Sequence, residues 1–178
     1  MLAVQSYRCA SRTKLRPLAT VVQRSQLYGI MNLSEYSKWT LEHNGEDFEL
    51  NALSEVRARI RAIRETSEGK ISLVSVVGLR PWWQRLLGAK YNVNHFFALE
   101  WSGEFAALIF FDEKVSEYRA LDKAVPVVPP ADTRGRISHG EPDITPDECM
   151  KASRAFDALD EFLELGKRPA WIEYRYVG

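Results

Sequence analysis

The chain has 178 residues, of which 46% are hydrophobic and 27% charged, with 24 basic and 24 acidic side chains. These proportions fit an ordinary globular domain and exclude a disordered or fibrous chain. No apolar run reaches the roughly 20 residues that cross a bilayer, so no membrane segment is expected. Two cysteines and three scattered histidines predict neither a disulfide framework nor a zinc site. No cofactor is expected.

Charge is distributed unevenly along the chain. Residues 1–34 carry five basic side chains and no acidic one, whereas residues 100–164 carry 15 acidic and 7 basic side chains. Without residues 1–30 the net charge is −5, from 19 basic and 24 acidic side chains. An acidic body disfavours direct binding to nucleic acid. It suits a basic protein partner, although acidity also serves solubility alone.

Residues 1–30 differ from the rest in being basic, free of acids and without clean periodicity. Transit peptides share this composition. A disordered extension, or a true start at Met31, are the two other interpretations. Met31 stands just before the patterned sequence, so we predict a single domain over 31–178 behind a basic extension over 1–30.

The first half of the domain shows a pattern of strands around one helix. Residues 36–41 and 48–50 indicate two short strands on either side of the turn signal His43-Asn44-Gly45. Apolar residues then recur at helical spacing, at Leu53, Val56, Ile60 and Ile63. Glu68-Gly69 is expected to end this helix, and the β-branched run 71–77 predicts another strand.

Two adjacent tryptophans stand out in the segment 80–93. Trp82, Trp83, Leu86 and Leu87 predict a short helix that packs on the body of the domain. The alternative is an exposed anchor for a partner, because Trp and Arg dominate binding hot spots. Trp82 and Trp83 are therefore candidate contact residues.

Three further strands are predicted in the middle of the chain. Residues 95–101 and 104–111 indicate two strands joined at Ser102-Gly103, and residues 115–121 indicate a third. The next segment, PVVPPADTRGR at 126–136, contains three prolines and a glycine. It is expected to be an exposed loop, and such loops often carry function.

The C-terminal region predicts one helix followed by one strand. Thr145, Pro146 and Glu148 are typical of a helix start with a capping box. The apolar stripe of this helix is predicted to consist of Cys149, Ala152, Phe156, Leu159 and Leu163, with Phe162 beside it. Gly166 is expected to end the helix, with Pro169 three residues on. The alternation of Ile172, Tyr174 and Tyr176 predicts a strand with one buried face.

Short turns join most neighbouring strands, and few helices intervene. This order predicts an α+β fold, with a mainly antiparallel sheet and helices packed against it.

The sequence contains no motif for a known catalytic centre: no phosphate-binding loop, no GxSxG, no HExxH and no deaminase zinc motif. Two clusters of titratable residues stay open to a catalytic interpretation, and they are Asp112, Glu113 and Glu117 near a hairpin, and His139, Glu141 and Asp143. The other interpretation of both is a solvated or partner-facing acidic surface. Cys149 on a buried stripe is a poor nucleophile, because burial raises a thiol pKa. We therefore expect a protein that is not an enzyme.

The C-terminal 40 residues resemble the end of the Imm1 family of bacterial toxin-immunity proteins. Residues 140–144 lead into the predicted helix 145–165, which is followed by Gly166-Lys167-Arg168-Pro169 and an aromatic-rich strand that begins at Trp171. Imm1-type proteins likewise end in a polar strand, a helix, a Gly-x-Arg-Pro turn and a final strand containing Trp. The hairpin strand that ends at Asp112 is compatible with the central strands of that family.

The resemblance implies a cytoplasmic immunity protein that binds a cognate toxin, often a nucleic-acid deaminase, and covers or distorts its active site. An acidic inhibitor can imitate the phosphate backbone in a basic groove of such a toxin. The candidate acidic contacts are Asp112, Glu113, Glu117, Asp132, Glu141 and Asp143. The alternative is a non-catalytic interaction or adaptor domain of similar fold.

Overall fold

A computed structural model describes residues 33–79, 81–86, 91–140 and 144–177. Within them, eight strands form one antiparallel sheet in the order β2-β1-β3-β4-β5-β6-β8, and β7 pairs with β5. The strands are β1 (Trp39–His43), β2 (Glu46–Leu50), β3 (Glu68–Leu79), β4 (Tyr91–Ser102), β5 (Phe105–Phe111), β6 (Glu117–Leu121), β7 (Met150–Lys151) and β8 (Glu173–Tyr176). The helices are α1 (Leu53–Ile63), α2 (Trp82–Arg85), α3 (Ala131–Arg136) and α4 (Ala152–Leu165). The predicted α+β fold is confirmed.

The core lies between one face of this sheet and the helices α1 and α4. A row of fully buried side chains crosses four strands in register, and it consists of Leu41, Leu73, Phe97 and Phe110. Phe162 of α4 lies across this row, with its ring centroid 5.0 Å from that of Phe110 and 6.3 Å from that of Phe97. Alternate residues along each strand point to the same face, so this row fixes the register of the central strands.

Helix α4 begins seven residues later than predicted. The capping box of Thr145 and Glu148 is present, but it caps a single 3-10 turn, Pro146–Glu148. The chain then extends, because Met150 and Lys151 pair with β5. Cys149 consequently lies outside α4 and is buried against Ala107 and Ile137 on the second face of the sheet.

The end of α4 and its buried stripe agree with the sequence-based prediction. Gly166 ends the helix in the left-handed conformation, with φ at 67°, as predicted. Phe156, Leu159 and Leu163 form its buried stripe, also as predicted. The stripe therefore identifies the helix correctly although its start is misplaced.

The structure of two other segments differs from the sequence-based prediction. Helix α1 ends at Ile63, where the Thr66 hydroxyl donates a 2.7 Å hydrogen bond to the Ile63 carbonyl. Glu68 and Gly69 therefore open β3 instead of ending α1. The segment 126–136, which was predicted to be a loop, contains α3. Pro130 directly precedes the first turn of this helix, where a proline is tolerated.

The two edges of the sheet are β2 and β8. In β2, Glu46, Asp47 and Glu49 are exposed. In β8, Tyr174 is partly buried, with its ring 5.9 Å from that of Phe110, but Tyr176 is 61% exposed. The prediction that Tyr176 shares a buried face is therefore wrong, because the strand leaves the core at this outer edge.

None of the helices in the described part of the chain is long and apolar enough to cross a bilayer. The predictions made for residues 1–30 and for Met31 lie outside the described residues.

Substitution of Gly69 tests the packing at the start of β3. An added Cβ at Gly69 falls 2.6 Å from Cη2 and Cζ2 of Trp101, an indole that is 2% exposed and packs edge-on against Phe156. We expect Gly69→Ala to lower the free energy of unfolding by about 1–3 kcal/mol through overpacking. The measurement is urea denaturation followed by far-UV circular dichroism.

The matched control is Gly78→Ala, in the same strand, where nothing lies within 4 Å of the added Cβ. It is expected to change stability by less than about 0.5 kcal/mol. Equal effects of the two substitutions would contradict the packing described for Trp101.

Candidate protein-binding site

A two-stranded hairpin projects from one end of the sheet. β3 and β4 each have 12 residues, but β1 pairs with β3 only up to Ser75 and β5 pairs with β4 only up to Phe97. Residues 76–79 and 91–93 pair with each other beyond both neighbours, over roughly 10 Å. These segments and residues 81–86 are called the arm, and the end of the sheet that holds them is called the arm end.

The arm presents bulky apolar side chains to solvent. At its tip, Trp82 is 68% exposed, Trp83 53% and Leu86 76%. Val77 and Leu79, on the strand that leads to the tip, are also more than half exposed. The prediction that the tryptophan segment packs on the body is wrong, because the described sheet offers no neighbouring strand at this height. The alternative interpretation, an exposed tryptophan pair, agrees with the structure.

Other exposed apolar residues lie at the same end of the sheet. In an antiparallel sheet, the end of β5, the start of β6 and the end of β8 meet at the end where β4 begins. Val115 in the β5–β6 turn, Tyr176 and Val177 are all exposed there. With the five arm residues they make eight of the eleven exposed large hydrophobic side chains of the described residues. Exposed apolar clusters are typical of protein-binding surfaces.

Val115 adopts a strained backbone conformation. Its φ is 63°, in the left-handed region, where a β-branched residue is rare and costs about 1–2 kcal/mol. The Asp112 carboxylate holds the turn, because its Oδ1 accepts hydrogen bonds from the N–H groups of Lys114 (2.8 Å) and Ser116 (2.9 Å). Val115 is 51% exposed, so core packing does not explain the strain. Strained residues of this kind cluster at functional sites.

The arm has a charge opposite to that of the body. The described segments of the arm contain no acidic residue, and their basic residue is Arg85. Of the other basic residues in the acid-free stretch between Glu68 and Glu100, Lys70 lies at the opposite end of β3, 3.2 Å from Glu100, and Arg80 and Lys90 lie outside the described residues. Arg85 follows the two tryptophans in α2 and is exposed. Apolar bulk and positive charge are thus combined in one projecting element.

Two of the predicted acidic contacts serve the fold of the protein itself. Partial burial of Asp112 opposes its ionisation, but the N–H groups of Ser116 and Lys114 stabilise the carboxylate and lower its pKa below the usual value. Glu117 accepts a 2.8 Å hydrogen bond from Nε of Arg119. Glu113, between them in sequence, is exposed and lies in the β5–β6 turn at the arm end.

The remaining predicted acidic contacts do not join this group. Asp132 is exposed on α3, and Arg136 of the same helix lies 3.7 Å from Glu68, at the opposite end of β3 from the arm. Glu141 and Asp143 lie outside the described residues. The acidic residues named from the sequence therefore do not form one continuous face in the described structure.

A buried carboxylate organises the second face of the sheet near β6 and β8. Glu148 is 2% exposed, and its carboxylate pairs with the guanidinium groups of Arg119, at 3.3 Å, and Arg175. It also accepts a hydrogen bond from the N–H of Thr145, at 2.8 Å. Burial opposes its ionisation, but the Thr145 N–H, the Arg175 guanidinium and the Thr145 hydroxyl lower the pKa of Glu148 below its usual value. The cluster joins the 3-10 turn to two strands.

His139 forms a second contact between the loop after α3 and the same sheet face. Its Nε2 lies 3.1 Å from the Ala107 carbonyl oxygen and must carry the proton, since a carbonyl only accepts. Its backbone N–H donates to Glu100, at 2.6 Å. Burial lowers the pKa of the imidazole, which is therefore neutral at pH 7. The other two members of the cluster named from the sequence, Glu141 and Asp143, lie outside the described residues.

The described interior offers little to bound ligands. A cavity of about 10 Å³ beside His139 and Glu148 has room for about one water molecule. A groove of about 410 Å³ beside Lys70 and Trp101 opens widely to solvent. Burial raises the pKa of the Cys149 thiol to about 11, so it is not a nucleophile at neutral pH. The described residues include no cluster of ligands suited to a metal ion.

Sequence reasoning missed the buried ion cluster and the extent of the arm. Glu148 was identified as a helix cap, and nothing in its spacing indicates that Arg119 and Arg175 meet it. A signal for the arm does exist in the acid-free stretch 69–99, where strand patterns enclose two adjacent tryptophans. That stretch predicts a segment with its own charge and no clear packing partner.

No protein-family model matches this chain, and a search of curated proteins finds no match.

Replacement of Val115 tests whether the turn is strained. Val115→Gly removes the Cβ that the left-handed conformation disfavours, so we expect the free energy of unfolding to rise by about 1 kcal/mol. Val115→Ala retains a Cβ and is expected to stabilise the protein less. The measurement is the urea midpoint at constant slope. A loss of stability in Val115→Gly would show that the valine side chain contributes packing instead of strain.

Substitution of Glu148 tests the buried ion cluster. Glu148→Gln leaves two guanidinium groups without their shared charge, so we expect a loss of about 3 kcal/mol at pH 7. Because the pKa of Glu148 is lowered in the folded state, its contribution is present above the unfolded value of about 4.5 and is lost as the pH falls below it. Wild-type stability should therefore fall more steeply than that of the variant between about pH 5 and pH 3.

The matched control is Glu113→Gln, at an exposed position, which should change stability by less than about 0.5 kcal/mol at pH 7. Parallel pH profiles of Glu148→Gln and wild type, from thermal denaturation, would rule out the stabilising role of the ionised carboxylate.

Proposed function

We propose that this chain is a non-catalytic, immunity-type inhibitor, which binds a cognate toxin protein and blocks the toxin's active site. The observation that carries the proposal is the arm end, because Trp82, Trp83 and most of the other exposed large hydrophobic side chains of the described residues lie at this one end of the sheet. Monomeric proteins rarely expose such clusters without a binding role. Trp and Arg are also the residues that dominate the energetics of protein interfaces.

The shape of the arm suits inhibition. It is a narrow projection that two paired strands hold in place, and its tip is apolar. Active sites are usually the concave part of an enzyme surface, lined by apolar and aromatic side chains. A projecting hairpin with an apolar tip can fill such a site and exclude its substrate.

The C-terminal resemblance to Imm1 proteins supports an immunity role and remains part of the proposal. The helix α4 ends at Gly166, and the buried Pro169 and then Trp171 lead into β8. Arg168 of the Gly-x-Arg-Pro turn lies over the Tyr118 ring, 3.7 Å from its centroid, which ties the turn to β6. On this proposal the inhibitor meets the toxin in the cytoplasm.

The interior titratable groups favour binding over catalysis. Glu148 is neutralised by two guanidinium groups, and His139 donates to a backbone carbonyl. The carboxylate of Asp112, the strongest candidate for an acid site, accepts three hydrogen bonds within its own turn and from Tyr118. These groups are occupied by contacts that hold the fold together.

Co-expression with the protein encoded beside this chain tests the proposal. We expect the full chain to restore growth that the neighbouring protein suppresses, and to co-purify with it as a stable complex. The readouts are colony formation and affinity purification of the tagged neighbour. An unrelated protein of similar size and charge, expressed from the same vector, is the control and should not restore growth.

Two results would overturn the proposal. The first is the absence of both rescue and complex. The second is a complex in which the neighbouring protein keeps its full activity, since that outcome indicates an adaptor instead of an inhibitor.

A further inference from the structure

We infer that the arm enters a concave site on the partner protein, and that this site has apolar walls and an acidic rim. The inference rests on the proposed function and narrows it, because it names the element that makes the contact and the chemistry that receives it. It differs from the phosphate-mimicry hypothesis, in which acidic residues meet a basic groove.

The positions of the exposed side chains favour a concave partner. A flat surface can touch the tip, at Trp82, Trp83 and Leu86, but it leaves Val77 and Leu79 on the strand in water. A pocket covers both groups at once. The exposed parts of the two tryptophans can bury roughly 200–300 Å², which is about a third of the roughly 800 Å² that each partner contributes to a stable interface. The tip is thus large enough to be the centre of an interface.

The charge of the arm defines the rim of the pocket. Arg85 is exposed beside the tryptophans, and the whole stretch between Glu68 and Glu100 lacks acids. A cationic projection is attracted to carboxylates and repelled by a basic groove. The partner's acidic side chains are therefore expected where Arg85 arrives, around the tryptophan pocket.

The base of the arm supplies the second part of the contact surface. Val115 lies exposed in the neighbouring β5–β6 turn, where Asp112 holds it in a strained conformation. A partner that encloses the arm reaches this turn with its rim. The strained backbone of Val115 then contributes to binding, because it places an apolar side chain where the two proteins meet.

Charge and shape argue against three other binding partners for the arm. Residues 1–32 carry five basic side chains and no acidic one, so they do not complement a cationic arm. A second copy that meets the first arm to arm places like charges against each other. An anionic membrane attracts Arg85, but it is a flat surface and leaves Val77 and Leu79 in water. A protein pocket with acidic side chains opposite Arg85 avoids these conflicts.

Binding measurements on surface variants of the full chain test the inference. The probe is the purified protein encoded beside this chain, and the readout is the dissociation constant from biolayer interferometry. The double variant Trp82→Ser/Trp83→Ser should weaken binding by at least about 100-fold, as expected for central hot spots. Arg85→Glu should weaken it by about 10-fold in low salt and by less in high salt.

The chain offers matched controls. Leu86 and Val128 are both 76% exposed, but only Leu86 lies on the arm. Leu86→Ser should weaken binding by about 10-fold, and Val128→Ser by less than about twofold. Lys167→Glu, at an exposed site after α4, is the control for Arg85→Glu. Unchanged thermal midpoints in all variants show that the fold is intact, as the exposure of these side chains predicts.

The outcomes separate the two proposals. If wild type does not bind the neighbouring protein, the proposed function and this inference both fail. If wild type binds and the double tryptophan variant binds equally well, the function stands and the arm inference is overturned. If Arg85→Glu strengthens binding, the acidic rim is wrong.

Two further measurements, on wild type and on the double tryptophan variant, can also overturn the inference. One is sedimentation with vesicles of phosphatidylglycerol and phosphatidylcholine, and the other is light scattering of the purified chain. Tryptophan-dependent binding to these vesicles, or a tryptophan-dependent dimer, with partner affinity unchanged in the variant, would assign the arm to a lipid surface or to a second copy.

Discussion

The unequal length of the strands in one sheet is the constraint on which the rest of the structure depends. Phe162 packs across Phe97 and Phe110, and this contact fixes the central strands in register. With the register fixed, the extra residues of β3 and β4 have no neighbour and must leave the sheet as the arm. The core and the proposed binding element are thus consequences of the same pairing.

The second sheet face is covered in a different way. Residues 131–140 and 144–149 lie over β4, β5 and β6, and charged and polar contacts hold them there together with Ile137 and Cys149. Glu148 is central, because it connects this segment to both β6 and β8 through Arg119 and Arg175. Such buried pairs add less net stability than apolar packing, but breaking one partner is strongly unfavourable. They therefore hold this segment in one position.

The sequence predicted elements with clear periodicity and failed where contacts distant in sequence decide the outcome. The buried stripe of α4 and its end at Gly166 follow from local rules, and both were predicted. The start of α4 was wrong, because Met150 pairs with β5, 44 residues earlier at Ala106, and no local pattern shows this. The exposure of Trp82 also depends on strand length, since the same residues would be buried on a shorter hairpin. Acidic residues such as Asp132 were grouped by charge alone, and the fold separates them.

The acidic edge strand has a consequence for how this chain can assemble. An open edge such as β2 presents unpaired backbone groups that invite another strand. Here Glu46, Asp47 and Glu49 place negative charge along that edge, so a second copy would bring like charges together. The opposite edge, β8, has only four residues. Pairing of strands between molecules is therefore disfavoured at both edges of the sheet. The chain can expose the apolar tip of the arm without forming fibres.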